Sequence, residues 1–178
     1  MAKSIPWLAP VILLLLVASI RPEPATPVQL SFTTTNAGIT VSGTLDGNAD
    51  INFDPADLGN STIRATANPA TIRTGIAIRD KHLQKEDFFH TRQYPRMTLQ
   101  SKRFRKTGRQ SFAGDFDLTI KSITQPVTIV FSRVLEEKAI RYEGHFEMNR
   151  LDFMLGEKSM VLDEVVRINL EAREYRRN

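Results

Sequence analysis

The chain has 178 residues and not one cysteine. Disulfides, thiolate metal sites, CxxC redox chemistry and acylation of a lipoprotein cysteine are all excluded. Stability must come from core packing and the backbone hydrogen-bond ladder. There is no Gly-x-Ser-x-Gly elbow and no phosphate loop. The three histidines, His82, His90 and His145, include no pair at the His-x-x-x-His spacing of a helical zinc site. The reading is therefore no catalytic residue, no metal and no cofactor. No internal repeat, low-complexity tract or long block of like charge interrupts the chain. The net charge of +4 is mild, and the basic residues lack an aromatic-lined RNA-binding motif. Nucleic acid is not an expected partner; a transient contact with a membrane surface is.

What is present begins with residues 1–19. Lys3 is followed by Trp7-Leu8 and an unbroken apolar run from Val11 to Ala18, with small residues at Val17-Ala18-Ser19. This reads as a secretory signal peptide; the apolar core is short for a membrane anchor, the competing reading. Export to the periplasm or secretion is expected. Removing Lys3, the one charged residue there, leaves +3. Pro22, Pro24 and Pro27 then mark residues 20–27 as an extended tether, and residues 28–175 are read as one domain.

From Val28 onward apolar and polar residues alternate about eight times. Val28-Leu30-Phe32, Ile39-Val41-Gly43-Leu45, Ile51-Phe53 and Ile63-Ala65-Ala67 come first, then Met97-Leu99 and Phe112 through Ile120. Val127-Ile129-Phe131, Ile140 through Met148 and Val166 through Ala172 follow. Period-two patterning with one wet face predicts antiparallel strands. Short links at Lys106–Gln110 and Leu135–Ala139 fit hairpins. One segment departs: Ile76, Arg79 and Leu83 recur at helical spacing, predicting a helix of about three turns near residues 75–86. Alternation alone leaves sandwich and barrel open. Gly43, Gly114 and Gly144 fall on apolar faces, where they either let strands coil or widen an interior; both readings favour a barrel.

Four blocks make the pattern specific. They are Thr74-Gly75 with Arg79-Asp80-Lys81-His82-Leu83, Asp87-Phe88-Phe89 and Tyr94-Pro95; Gly114-Asp115 with Leu118-Thr119-Ile120-Lys121 and Thr124-Gln125-Pro126-Val127; Arg150-Leu151-Asp152-Phe153; and the Asp54-Pro55-Ala56-Asp57-Leu58 turn. In order and spacing these resemble the YceI-like family across nearly all of the chain after the tether. Ser122 and Met154 stand where that family usually has glycine. The resemblance implies a lipocalin-like, eight-stranded antiparallel β-barrel with one short helix, enclosing an elongated polyisoprenoid or isoprenoid quinone.

On this reading the apolar lining consists of Phe32, Ile39, Val41, Gly43, Ile63, Met97, Leu99, Phe112, Gly114, Phe116, Leu118, Ile129, Phe131, Tyr142, Gly144, Phe146 and Leu170. Arg79, Asp80 and His82 either pin the helix or meet a ligand head group. The basic hairpin containing Lys102, Arg103, Arg105, Lys106 and Arg109 is either a solvated end or an anionic-lipid contact. The alternative function is an exported interaction module whose barrel is filled by its own side chains.

Overall fold

A computed structural model describes residues 25–175; the expected signal peptide lies outside them. Eight strands form: β1 (Thr26–Asn36), β2 (Ile39–Asn52), β3 (Thr62–Ala67), β4 (Met97–Lys106), β5 (Ser111–Ile120), β6 (Ile123–Leu135), β7 (Ala139–Asn149) and β8 (Val165–Tyr175). Each pairs antiparallel with the next, and β8 closes onto β1 from Val28↔Ala172 to Thr33↔Arg167. Closure leaves no edge strand to blunt. Thr26 and Pro27, read as tether, already belong to β1, where they face Ala49 and Asn48.

Two strand readings change. The Ile39 and Ile51 runs are one 14-residue strand, β2. The stretch between them keeps its alternation through Gly47 and Ala49, both buried. A Cβ on Gly47 would lie 2.7 Å from Leu30 Cδ1 and 2.9 Å from the Thr66 carbonyl, so this inward position has no room for a larger residue. The second change is a β-bulge between Ser101 and Arg103 on β4. Leu99 pairs with Leu118, yet Phe104, five residues on, pairs with Gly114. Both partners face inward, so the extra residue reverses the phase of β4 and turns Phe104 into the core.

The helix α1 spans Ala77–Leu83, two turns rather than three. Its first turn has no side-chain cap of the usual kind. The chain leaves it early because Phe88 and Phe89 fold back onto the barrel, with Phe89 N–H donating to the Leu83 carbonyl at 3.0 Å.

Antiparallel order places the connections in two groups. One end carries the β1–β2 turn, the segment with α1, the Lys121-Ser122 turn and the long β7–β8 connection. The other carries the remaining hairpins and both described ends of the chain, Thr26 and Tyr175. The first end is called the mouth below, the second the blunt end.

Met154 and Ser122, the two expected departures from glycine, differ in backbone conformation. Met154 adopts φ 52°, ψ 43°, the left-handed region, and caps a 3-10 turn at Arg150–Phe153 while 68% exposed. Its Cβ makes that conformation costly. Met154→Gly is therefore expected to stabilise the fold by about 0.5–1 kcal/mol in urea denaturation; a destabilised variant would contradict this. At the neighbouring turn the left-handed residue is Lys121 (φ 55°), not Ser122.

Candidate functional site

The inner faces of the strands enclose an open cavity of about 250 Å³ that runs from Val28, Ile51 and Ala172 up to the connections of the mouth. Its walls are aliphatic and aromatic side chains from all eight strands, relieved by a few hydroxyl groups. Leu83, Phe88 and Phe89 enter from the α1 segment, and Leu155 and Leu162 from the β7–β8 connection. Arg150 is the one lining residue with a formal charge.

Of the residues read from sequence as lining, Phe32, Ile63, Met97, Leu99, Phe116, Leu118, Ile129, Phe131, Tyr142, Gly144, Phe146 and Leu170 border this space. Ile39, Val41, Gly43, Phe112 and Gly114 do not. Ile39 is 70% exposed. The β1–β2 pairing runs on to Asn36↔Ile39, whereas β1 loses β8 after Thr33, so Ile39 and Val41 sit on a hairpin that projects beyond the closed wall. Gly43 and Gly114 face inward but lie under rings. A Cβ on Gly43 would be 2.5 Å from the Phe32 ring, and one on Gly114 would be 2.5 Å from the Phe116 ring. These glycines let aromatic rings lie against the wall and do not themselves border open volume. Gly144 alone of the three does.

The blunt end is closed by aromatic packing. The Phe53 ring meets Phe104, Phe112, Phe131 and Tyr142 edge-on, at centroid distances of 5.1, 5.0, 5.3 and 6.3 Å. Phe131 and Tyr142 show one face to the cavity; Phe53, Phe104 and Phe112 stand behind them. Beyond the plug the Tyr142 hydroxyl donates to Glu174 Oε2 at 3.2 Å.

Burial pushes the Tyr142 phenol up to about 12; the Arg133 guanidinium opposes this and the Glu174 carboxylate adds to it. A phenol with a folded pKa above its unfolded value keeps its proton longer in the fold. Stability is therefore expected to fall by about 2 kcal/mol between about pH 10 and pH 12. Urea midpoints across that range should show this loss in the parent and lack it in Tyr142→Phe; equal loss in both would assign it elsewhere.

At the mouth, Arg150 follows Phe146 and Met148 in the inward phase of β7 and is only 3% exposed. Its guanidinium donates to four backbone carbonyls: Asp163 from Nε at 2.9 Å, Leu155 from Nη1 at 2.8 Å, and Glu157 and Leu162 from Nη2 at 2.9 and 3.3 Å. One side chain thus fastens the connection that frames one side of the mouth. Outside it, Ile39, Ile76, Ile78, Met154, Met160 and Val161 are exposed on the connections at this end.

Arg79 and Asp80 both grip Thr74. Arg79 donates from Nε to Thr74 Oγ1 (2.7 Å) and from Nη2 to its carbonyl (2.8 Å), while Asp80 accepts from the Thr74 N–H (2.8 Å) and hydroxyl. They pin the start of the helix, and neither borders the cavity. His82 is exposed and packs edge-on against Phe88 at 5.1 Å.

The basic hairpin lies at the blunt end. Lys102 pairs with Asp117 (3.0 Å), and Arg103 and Arg105 both pair with Asp115 (2.5 and 3.1 Å). Arg103, then Thr128 and Arg105, hold the Asp115 carboxyl well below the usual carboxylate range. This hairpin lies at the end opposite the α1 segment.

A family model described as a YceI-like domain matches residues 23–173. Protein YceI of Escherichia coli O157:H7 is 34% identical over 85 residues, 47% of this chain and 44% of that protein. The matched stretch is thus less than half of that relative's length. Among solved structures, Burkholderia cenocepacia BcnA superposes with a TM-score of 0.78 at 19% identity, over 82% of this chain and 95% of that one. A Saccharophagus degradans domain described as polyisoprenoid-binding and implicated in plant cell wall breakdown gives 0.65 at 11% identity, over 85% and 98%. At these identities the structural likeness speaks for the fold.

Proposed function

The chain belongs to the YceI-like family, and from that premise we propose that its barrel binds, carries or sequesters an elongated apolar lipid, a polyisoprenoid or isoprenoid quinone. The observation that carries the reading is an open apolar cavity of about 250 Å³ inside the barrel. Each buried methylene contributes about 0.8 kcal/mol, so one five-carbon isoprene unit offers up to about 4 kcal/mol before ordering costs. A chain of a few such units binds without any polar contact. The polyisoprenoid-binding description of a structural neighbour supports the same ligand class.

The competing reading, a barrel filled by its own side chains, matches only the packed rings of Phe53, Phe104 and Phe112 at the blunt end. The space from Val28 and Ala172 up to Leu83 and Leu155 is not filled in this way. The role proposed is binding, with no chemical step.

The deciding experiment is mass spectrometry of organic extracts from natively purified protein, together with uptake of an added isoprenoid quinone. A co-purifying or captured isoprenoid is expected. Repeated absence of both would overturn the reading.

Export and membrane contact belong to the same proposal. Residues 1–19 would be cleaved, which intact-mass measurement of protein from cell fractions reads directly. The exposed apolar side chains around the mouth, Ile78 and Met160 among them, would touch the bilayer from which the ligand is drawn. Co-sedimentation with lipid vesicles should fall in an Ile78→Asp, Met160→Asp protein; unchanged sedimentation would remove the rim from the account.

A further inference from the structure

We infer that Arg150 is the head-group residue of the barrel: it binds an anionic oxygen of an isoprenoid phosphate at the mouth, with the isoprenoid tail running down toward Val28 and Ala172. The inference rests on the isoprenoid reading proposed above and specifies the head group for it.

Three observations carry it. The first is position. Arg150 continues the inward phase of β7 past Phe146 and Met148, and it borders the cavity while only 3% exposed. Every other lining residue is uncharged. The second is the count of donors. A guanidinium carries five N–H groups in a fixed fork. The bonds to the Asp163, Leu155, Glu157 and Leu162 carbonyls engage Nε once, Nη1 once and Nη2 twice. One Nη1 hydrogen is left without an acceptor among the described residues. That nitrogen sits where the α1 segment meets the β7–β8 connection. There the Gly156 N–H donates to the Asp87 carbonyl at 2.7 Å. A Cβ on Gly156 would lie 3.4 Å from Nη1 and 2.9 Å from the ring of Phe88, which itself borders the cavity.

The third is charge. None of the ion pairs among the described residues includes Arg150. Carbonyl dipoles solvate its guanidinium but leave its net charge standing. A buried cation without a counter-charge is costly. A phosphate brought to it gains a charge-assisted hydrogen bond and an attraction strengthened by the apolar surroundings. A quinone carbonyl or a prenol hydroxyl can accept the same hydrogen bond but supplies no counter-charge. The four carbonyl bonds also hold the guanidinium in place before a ligand arrives, so little ordering is left to oppose binding.

The test is extraction from phosphatidylcholine vesicles carrying equal amounts of geranylgeranyl phosphate, geranylgeraniol and a naphthoquinone with the same geranylgeranyl tail. The shared tail cancels the contribution of apolar burial. The protein is separated from the vesicles, and its bound lipids are quantified by mass spectrometry. The phosphate is expected to exceed each neutral lipid by at least about tenfold. In Arg150→Met the ratio should fall to near one, whereas a purely structural arginine would let all three lipids fall together at an unchanged ratio. Lys121, whose Nζ donates to the Met154 carbonyl at 2.7 Å at the same end, is the control cation; Lys121→Gln should keep the preference. Circular dichroism melts establish that each variant is folded. Equal extraction of the three lipids by the parent would overturn the head-group role while leaving isoprenoid binding intact, and needs no variant. An unchanged ratio in folded Arg150→Met, or a preference lost in Lys121→Gln, would also overturn it. Capture of none of the three would instead count against the ligand class itself.

Discussion

An Arg150→Met protein is expected to be less stable than its parent by about 3–5 kcal/mol. The arginine is almost wholly buried, and its guanidinium supplies donors to four carbonyls of the β7–β8 connection. Hydrogen bonds from a charged donor are each worth about 1.5–3 kcal/mol, and a carbonyl left unpaired in a buried place adds a desolvation cost. Methionine fills similar space and restores none of these bonds. Water reaching the outer carbonyls will recover part of the loss, which keeps the figure below a simple total. Urea denaturation measures the loss. Hydrogen exchange should show faster amide exchange through residues 155–163, with little change in the strands of the blunt half. A loss under about 1 kcal/mol would mean that the connection is held by other contacts. The effect should reach the ligand too. With its frame loosened the mouth opens more readily, and a bound lipid should leave faster.

Phe116→Arg is expected to abolish lipid uptake, lowering it at least about 100-fold. Phe116 is 2% exposed, lines the cavity and meets Phe104 edge-on at 5.8 Å. An arginine there places an unpaired charge in a space with no carboxylate among its lining residues. The substitution also threatens folding, so it needs two companions. Phe116→Met keeps the wall apolar and should retain uptake. Val130→Arg, on the outward face of β6, should leave uptake and stability near the parental values. Uptake that survives Phe116→Arg in a folded protein, or is lost in Val130→Arg, would reverse the assignment of strand faces.

Strand alternation made most of the barrel wall legible in the sequence, because a residue's parity decides its face wherever a strand runs unbroken. Its failures have local causes. Phe104 was missed because one extra residue near Lys102 inverts the parity of β4, and nothing in the composition marks the bulge. β2 looked like two strands because its inward residues at the join are Gly47 and Ala49, too small to register as apolar. Ile39 has the right parity but stands past the point where β8 leaves β1. That limit is a long-range pairing with no signature near residue 39. The α1 segment was recognisable, yet the inward turn of Phe88 and Phe89 follows no period. Arg150 was visible within a family block, but its role lies in carbonyls up to thirteen residues away. The cavity was the least legible feature. Gly43 and Gly114 left open whether they widened the interior or let strands coil, and aromatic neighbours occupy the space beside both.

Thr26 and Tyr175 lie together at the end sealed by the Phe53 cluster. Anything joined upstream of Thr26 or downstream of Tyr175, such as a purification tag, a fluorescent reporter or a linker to a solid support, therefore departs on the side away from the opening. Molecules grafted to a surface through either position would stand upright with their openings toward solution. An oriented layer of this kind could capture hydrophobic molecules without being shielded by its own attachment.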